Sequence, residues 1–420
     1  MVPKGWTHTT FEKHVDCLTG FAFKSDNYSN AEDDIRLLRG DNIEPGNLRW
    51  RDAKYWPKGE LHNLEKYYLA DGDFVIALDR TWVSSGLKVA EVTPSDLPCL
   101  LVQRVARIRA KTTLEQNLLR QYFSGHRFEQ HVKSVQTATA VPHISPNDIK
   151  NFTVSLPPIP EQKKIAKILT TWDKAISTTE KLLANSQQQK KALMQQLLSG
   201  KKRIGHKTGS YVFKSTRYGL LPEEWSYPAI KDFCHQISGK KNENMDYPVL
   251  SCSKYDGFVD SLNYFNKKVY SDDLSGYRVI PRGCFGFPSN HIEEGSIGLQ
   301  NLYDYGFVSP IYVVFKANTA KVNNDYLIAQ LKTDHYRQIF SASTNASVDR
   351  RGSLRWKEFS AIHVPLPLLE EQNKIAAVLK SAEQEIVLLK KKLDALKQEK
   401  KALMQQLLTG KRRVKVEVAA

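Results

Sequence analysis

No apolar stretch in this sequence approaches the ~20 residues that a membrane-spanning helix needs. Cysteine is scarce: Cys17, Cys99, Cys234, Cys252 and Cys284 are odd in number and form no Cys-x-x-Cys pair. That excludes a disulfide framework and reads as reduced, mostly buried thiols in a cytoplasmic protein. The opening Met1-Val2-Pro3-Lys4-Gly5-Trp6 carries no apolar signal region. Catalytic signatures are missing as well. There is no Gly-x-x-x-x-Gly-Lys-Ser/Thr phosphate loop, no Gly-x-Gly-x-x-Gly and no Asn-Pro-Pro-aromatic run. Asp148-Ile149-Lys150 lacks the upstream Pro-Asp of a nuclease site and reads as a capped turn entering a strand. His126 and His131 are five apart, the wrong spacing for one helix face, and no cluster joins them. The expectation is no metal, no cofactor and no catalysis by this chain.

What is present is positive charge and length. Lys and Arg total 61 against 45 Asp and Glu, a net charge of +16. A chain so basic favours a polyanionic partner, nucleic acid first. Its 420 residues, 41% of them hydrophobic, suffice for two to four packed domains.

The chain also repeats itself. Glu161-Gln162-Lys163-Lys164-Ile165-Ala166 returns as Glu371-Gln372-Asn373-Lys374-Ile375-Ala376, and Lys190-Lys191-Ala192-Leu193-Met194-Gln195-Gln196-Leu197-Leu198 returns unchanged from Lys400 to Leu408. Both pairs share an offset of 210 residues, half of the chain. A half-length repeat predicts two equivalent halves.

The repeated part reads as helix. Pro160 suits a first helical turn and Glu161 complements its positive end. Apolar positions follow at Ile165, Ile168/Leu169, Trp172, Ala175/Ile176, Leu182/Leu183, Leu193 and Leu197. The second helix carries Ile375, Val378/Leu379, Ala382, Ile386, Leu389, Leu393, Leu396, Leu403 and Leu407. A mean step near ~3.5 residues predicts a coiled-coil seam, and Gly200 and Gly410 mark the ends. Equivalent halves in one chain pack as in a two-fold dimer, so the pair should be antiparallel. The basic runs Lys201-Lys202-Arg203 and Lys411-Arg412-Arg413 leave two readings open: contacts to phosphates or a partner, or cations set against helix C-termini. The tail itself reads as the start of a link that would rejoin the N-terminus.

The segments between the helices differ but share a plan. Each opens with Pro-x-x-Trp (Pro3 to Trp6; Pro222 to Trp225), with a (Leu/Ile)-(Thr/Ser)-Gly step at Leu18-Thr19-Gly20 and Ile237-Ser238-Gly239. Each then has a glycine-centred strand pair, around Gly72 and Gly283. Short β-rich runs such as 74–78, 100–108 and 308–315 dominate, with helical stretches at 114–123 and 325–340. The predicted fold class is therefore α+β: two recognition-type domains with twisted β-sheets, separated by a long antiparallel two-helix coiled coil. The expected division is 1–155, first domain; 156–200, central helix; 201–220, basic linker; 221–365, second domain; 366–410, distal helix; 411–420, basic tail.

Two variable domains, each followed by a proline-rich step and a Glu-Gln-x-Lys-Ile-Ala helix, resemble the specificity subunits of type I restriction-modification enzymes. Gly20-Phe21-Ala22-Phe23-Lys24-Ser25, the run from Ile35 through Arg36, Arg39 and Asn42 to Ile43, and Val141-Pro142-His143-Ile144-Ser145-Pro146-Asn147-Asp148-Ile149 resemble target-recognition domains of that family. The second domain departs from it with Val249-Leu250-Ser251-Cys252-Ser253 in place of the Arg-Gly-Asp-Asn run. The resemblance implies a non-catalytic subunit whose two domains each read half of a split, asymmetric site in double-stranded DNA. The coiled coil would fix the spacer. Two methyltransferase subunits and restriction-translocase subunits would be the partners, and S-adenosylmethionine, ATP and magnesium would belong to them.

Polar and cationic loop residues are the candidates for DNA contact. In the first domain these are Lys24, Arg36, Arg39, Asn42, Arg80, His126 and Arg127; in the second, Lys240, Lys241, Ser253, Lys254, Ser289, Asn290, His291, Arg350, Arg351 and Arg355. Trp50, Tyr55, Trp56, Tyr67 and Tyr68 read as core rather than as base-stacking residues. Helix-start chemistry explains Glu161 and Glu371 but not the glutamine after each, so Glu161, Gln162, Glu371 and Gln372 are expected to face a partner. The competing class is a coiled-coil scaffold with two peptide-binding domains, which accounts for the helices but not for the charge.

Overall fold

The computed structural model describes residues 3–137, 141–207, 209–217, 219–239, 246–344 and 353–416. The chain divides into two compact units, Met1–Glu180 with Lys391–Ala420, and Lys181–Lys390. The division crosses both repeated helices, which span Ile159–Leu197 and Leu369–Leu407 at 39 residues each. Each unit therefore contains one of the two segments that differ in sequence and portions of both helices.

In the first unit a four-stranded antiparallel sheet runs in the order Val89–Glu91, Phe74–Ala77, Val105–Ala110, Val15–Thr19. Phe74–Ala77 is apolar throughout because both of its faces are covered. One face packs on Leu118, Leu119, Tyr122 and Phe123, and the same core takes in Ile165, Leu169, Leu407 and Leu408 of the two long helices. The other face joins Leu38, Ile43, Cys99 and Leu101, where Cys99–Leu101 pairs parallel with Ile35–Leu38 and the latter antiparallel with Lys54–Trp56. Gly20 lies so close to this layer that an added Cβ would sit 2.2 Å from the Val102 carbonyl oxygen. The Asp148 segment is the capped turn expected: Ser145 and Asp148 cap Pro146–Lys150, which leads into the strand Thr153–Leu156. Trp56 is buried, and Tyr67 and Tyr68 pack against its core.

The second unit repeats the plan. Its sheet runs Cys234–Ile237, Tyr312–Ala317, Phe285–Pro288, Gly298–Leu299, and its helices Asn324–Leu331 and Asp334–Ser343 occupy the positions of Gln116–Phe123 and His126–Val135. Leu250–Ser253 pairs antiparallel with Gly257–Asp260 and is the counterpart of Ile35–Leu38. The first unit runs 39–53 before its next partner strand, whereas here a tight turn, Lys254-Tyr255-Asp256, suffices. Burial pushes the Cys99, Cys234 and Cys252 thiols up to about 12, so they are unreactive apolar filler.

Several runs are subdivided where the sequence suggests continuity. Residues 100–108 form two strands because Arg104 turns the chain with φ 63°. Residues 308–315 break at Pro310, which has no N–H to pair. Residues 325–340 break at Thr333, whose side chain caps a new helix at Tyr336 N. Gly72 and Gly283 are both left-handed turns, but neither makes a hairpin. Val92 receives the Gly72 N–H, and the strands on either side of Gly283 belong to different sheets.

The helix pair is antiparallel within each unit. In the first, Lys400 pairs with Asp173 and Lys397 with Glu180 at 2.8 Å. In the second, Lys190 pairs with Glu383, and Ser186 Oγ donates to Glu385 at 3.2 Å. The seam departs from the predicted apolar row near its middle. In the central helix Thr179 and Ser186 are the buried positions there, whereas Leu182 is 48% exposed; the distal helix keeps its apolar Ile386 and Leu393 buried.

Candidate nucleic-acid interface

The Glu-Gln pairs fasten each domain to the repeated helices. Glu161 accepts from Arg413 Nη2 (2.7 Å) and Nε (3.1 Å) and from the Trp6 indole N–H (3.1 Å). Glu371 accepts from Arg203 Nη2 (2.8 Å) and Nε (3.0 Å) and from the Trp225 indole N–H (3.2 Å). The third arginine nitrogen, Nη1, differs: Arg203 reaches Glu224 (2.6 Å), whereas Arg413 reaches the Lys4 carbonyl (2.8 Å). Burial alone would raise the Glu161 carboxyl; the Arg413 and Trp6 donors outweigh it and hold the group below the usual range. The paired glutamates raise Arg203 well above the ordinary arginine value.

The glutamines are equally committed. Gln162 Oε1 accepts from Glu115 N (2.9 Å), and its Nε2 donates to Thr113 O (3.2 Å) and Pro157 O (2.9 Å). Gln372 does the same with Asn323 N (2.8 Å), Lys321 O (3.2 Å) and Pro367 O (2.9 Å). A side chain with one acceptor and one two-proton donor meets all three needs, which explains glutamine there. The expectation that these four residues face a partner is corrected: Glu161, Gln162, Glu371 and Gln372 are 3%, 2%, 7% and 1% exposed and tie each domain to its helix. Nor do Arg203 and Arg413 follow either reading of the basic runs, since each is turned onto a glutamate.

In the first unit the structure gathers three loops around an open pocket of about 360 Å³. Arg39 comes from the end of Ile35–Leu38, Arg80 from the end of Phe74–Ala77, and Gln103 and Arg104 from the turn after Cys99–Leu101. Lys88 completes the cationic lining. Burial lowers the Lys88 ammonium; Asp41 opposes that shift, and Arg80 and Arg49 add to it. Four cations, Arg39, Arg80, Lys88 and Arg104, line the pocket against two carboxylates, Asp41 and Asp79, with Arg39 paired to Asp41 at 2.8 Å, a net positive lining suited to the polyanionic edge of a nucleic acid. Arg39 and Arg80 were expected in such a place; Lys88, Gln103 and Arg104 were not. Asp79 anchors the group by accepting from Arg104 Nη1 (2.9 Å) and bonding His143 Nδ1 (2.6 Å).

Other candidates have structural posts. Arg36 donates to the Ser95 and Leu97 carbonyls (3.1 and 3.0 Å) and lies 4.7 Å over Trp50. Asn42 is 5% exposed and bonds the Arg39 N–H and Arg49 carbonyl. Asn42 is a correction to the DNA-contact expectation, since its buried amide serves its own loop, whereas Arg36 spends Nη2 on the carbonyls of the 95–97 turn. Lys24 is exposed on a short turn away from such bonds. His126 and Arg127 are exposed on a separate cavity of about 500 Å³, with Lys397, Lys400 and Lys401.

In the second unit Lys240, Lys241, Arg350 and Arg351 lie outside the described residues. Ser289 N bonds Ile311 O as Leu78 N bonds Arg104 O, so His291 stands where Arg80 stands. His291 is exposed and bonds Glu294 (3.3 Å). With Glu293 the two bring potential ligand atoms within 4.8 Å, the one such group among the described residues; two carboxylates and a histidine on a short surface turn do not define a metal centre. Asn290 is half-buried beside it and Arg355 exposed. Ser253 Oγ receives the Tyr255 and Asp256 N–H groups (both 3.3 Å) and so braces the hairpin, with Lys254 and Tyr255 exposed beyond it.

Two copies of one α+β plan, each fastened to a repeated helix and each carrying different loops, define a two-domain reader on a constant frame. The chain belongs to the family of type I restriction modification DNA specificity domains, whose model matches residues 18–185 and again 222–398. It is similar to the type I restriction enzyme EcoAI specificity subunit of Escherichia coli, 34% identical over 182 residues, 43% of this chain and 30% of that protein. It is also similar to the MjaVIII specificity subunit of Methanocaldococcus jannaschii, 29% identical over 303 residues, 68% of each. The matched stretch thus spans less than a third of the EcoAI subunit. In fold it is similar to the S subunit of a type I restriction-modification system from M. genitalium, with a TM-score of 0.58 at 13% identity, covering 97% of this chain and 96% of that one. No described helix is long and apolar enough to cross a membrane.

Proposed function

We propose that this chain is the sequence-specific DNA-binding subunit of a type I restriction-modification complex. Each recognition domain reads one half of a bipartite, asymmetric site, and the antiparallel helix pair sets the spacer and docks two methyltransferase subunits. Restriction-translocase subunits join the same complex. The chain is non-catalytic and cytoplasmic; methylation and ATP-dependent cleavage, with their S-adenosylmethionine, ATP and magnesium, belong to the partners. The six-segment division at 155, 200, 220, 365 and 410 describes this role: reader, helix, link, reader, helix, tail.

The observation that carries the proposal is the repeated fastening. Arg-Glu-Trp and glutamine contacts are reproduced in both units, while the loops they hold in place differ: 39–53 in one, Lys254-Tyr255-Asp256 in the other. Matching mounts with unlike loops suit two unlike half-sites. The test is selection from random duplex DNA by the full chain co-purified with its methyltransferase. Two short unlike motifs with a fixed unspecified gap support the proposal; salt-sensitive binding with no motif contradicts it.

A further inference from the structure

Among the described residues, five non-glycine residues have left-handed backbone: Asp52, Asn63, Arg80, Arg104 and Asn266. Asp and Asn adopt this conformation readily, but arginine does not. The two exceptions line the same pocket, and Leu78, two residues before Arg80, donates its N–H to the Arg104 carbonyl at 2.8 Å. A position that glycine would fill without strain carries an arginine twice in one pocket. Strain retained at a cleft points to use of the side chain.

The Arg104 guanidinium is held in a particular way. Asp79 Oδ2 accepts from Nη1 at 2.9 Å, and Asp79 is fixed from its other oxygen by His143 at 2.6 Å. The arginine side chain is nonetheless 73% exposed, against 23% for Asp79. Nε and Nη2 therefore remain as a fork toward solvent. A carboxylate beside an arginine weakens its pull on a phosphate, because its charge opposes the phosphate's own. The same carboxylate helps the arginine address a neutral pair of acceptors, because it fixes the plane of the fork at little entropic cost. The neutral acceptor pair that DNA offers in its major groove is O6 and N7 of guanine.

We infer that Arg104, oriented by Asp79, reads a guanine in the half-site taken by the first recognition domain, with Arg80 and Lys88 supplying the surrounding phosphate attraction, since Arg39 is paired with Asp41 at 2.8 Å. This inference rests on the specificity-subunit reading. Arg104 is then a specificity-determining residue, and Asp79 a positioning residue that touches no base.

The experiment is the same duplex selection, with titration on the selected site, for the full chain with its methyltransferase carrying wild-type Arg104, Arg104→Gly or Arg104→Lys. Glycine suits the left-handed backbone, so that variant stays folded; lysine keeps the charge but loses the fork. Both variants should lose preference for a G·C pair at one position of one half-site, keep the other half-site, and bind the original site roughly tenfold to a hundredfold more weakly. Equal weakening on all sequences with a shallower salt dependence would make Arg104 a phosphate contact and overturn the inference. So would an unchanged motif. A wild-type chain that selects no bipartite motif overturns the specificity-subunit reading itself, and this inference with it.

Discussion

Arg413 closes on Glu161 across 252 residues of chain, through two parallel hydrogen bonds of 2.7 and 3.1 Å, so that the C-terminal tail completes the unit to which the N-terminus belongs. Arg203 and Glu371 repeat the geometry in the second unit. The two pairs differ in burial: the Arg203 side chain is 4% exposed and that of Arg413 46%. Removing one partner of a buried ion pair leaves a bare charge, so Arg203→Ala should destabilise the second unit by about 3–5 kcal/mol. Arg413→Ala should cost the first unit less, because water can reach Glu161 in its place. Hydrogen exchange at the two units, measured separately, should rank the variants in that order.

The glycines beside these arginines make a matched prediction. Gly200 and Gly410 have φ of 70° and 71°, and an added Cβ would lie 2.5 Å from Pro222 and 2.3 Å from Pro3 respectively. Alanine at either place meets both backbone strain and a proline ring. Each variant should expose its neighbouring tryptophan, Trp225 or Trp6, read as a red shift and faster quenching of its fluorescence.

Gln162→Ala and Gln372→Ala each remove a buried side chain with three hydrogen bonds. An unsatisfied buried group costs about 1–3 kcal/mol, so each should lower the denaturation midpoint of its own unit only. Methyltransferase binding by folded protein should persist, because neither side chain is at the surface.

The Glu161 carboxyl is held below its ordinary value, so its contribution is present above the unfolded pKa near ~4.3 and is lost as pH falls through the lower folded value. Stability of the first unit should stay level from neutral pH to about 5 and fall below about 4. In Glu161→Gln the unit should be weaker at neutral pH and show a shallower acid limb in pH-dependent unfolding.

Asn42→Ala distinguishes framework from reader. Its amide bridges Arg39 and Arg49 from a buried position. The substitution should cost about 1–3 kcal/mol and leave the selected DNA motif unchanged at stoichiometric loading. A changed motif would put Asn42 back among the bases.

What could be read from the sequence was local or repeated. The helices, their glycine ends, the Ser145–Asp148 cap and the two-domain plan follow from patterns within a few residues or from the offset of 210. Contacts across long chain separations carry no such pattern. Nothing near Arg203 or Arg413 shows that either turns onto a glutamate, and the glutamines had no visible partner in sequence. Arg36 and Asn42 have the chemistry of DNA contacts, but Arg36 spends Nη2 on carbonyls 59 and 61 residues away, and Asn42 spends its amide on its own loop. Arg104 carries no sequence signal for the opposite reason: a left-handed turn is expected at glycine or asparagine, not at arginine.

The central claim is that two independent readers sit on one measuring frame, and changing the frame alone tests it. Seven residues would be removed from the central helix and the facing seven from the distal helix, and the chain put through duplex selection with its methyltransferase. At ~1.5 Å per residue the frame shortens by about 10 Å, roughly 3 base pairs at ~3.4 Å each. Both half-sites should reappear unchanged with a gap shorter by that amount. The same half-sites at the original gap, or a change within either half-site, would contradict the account.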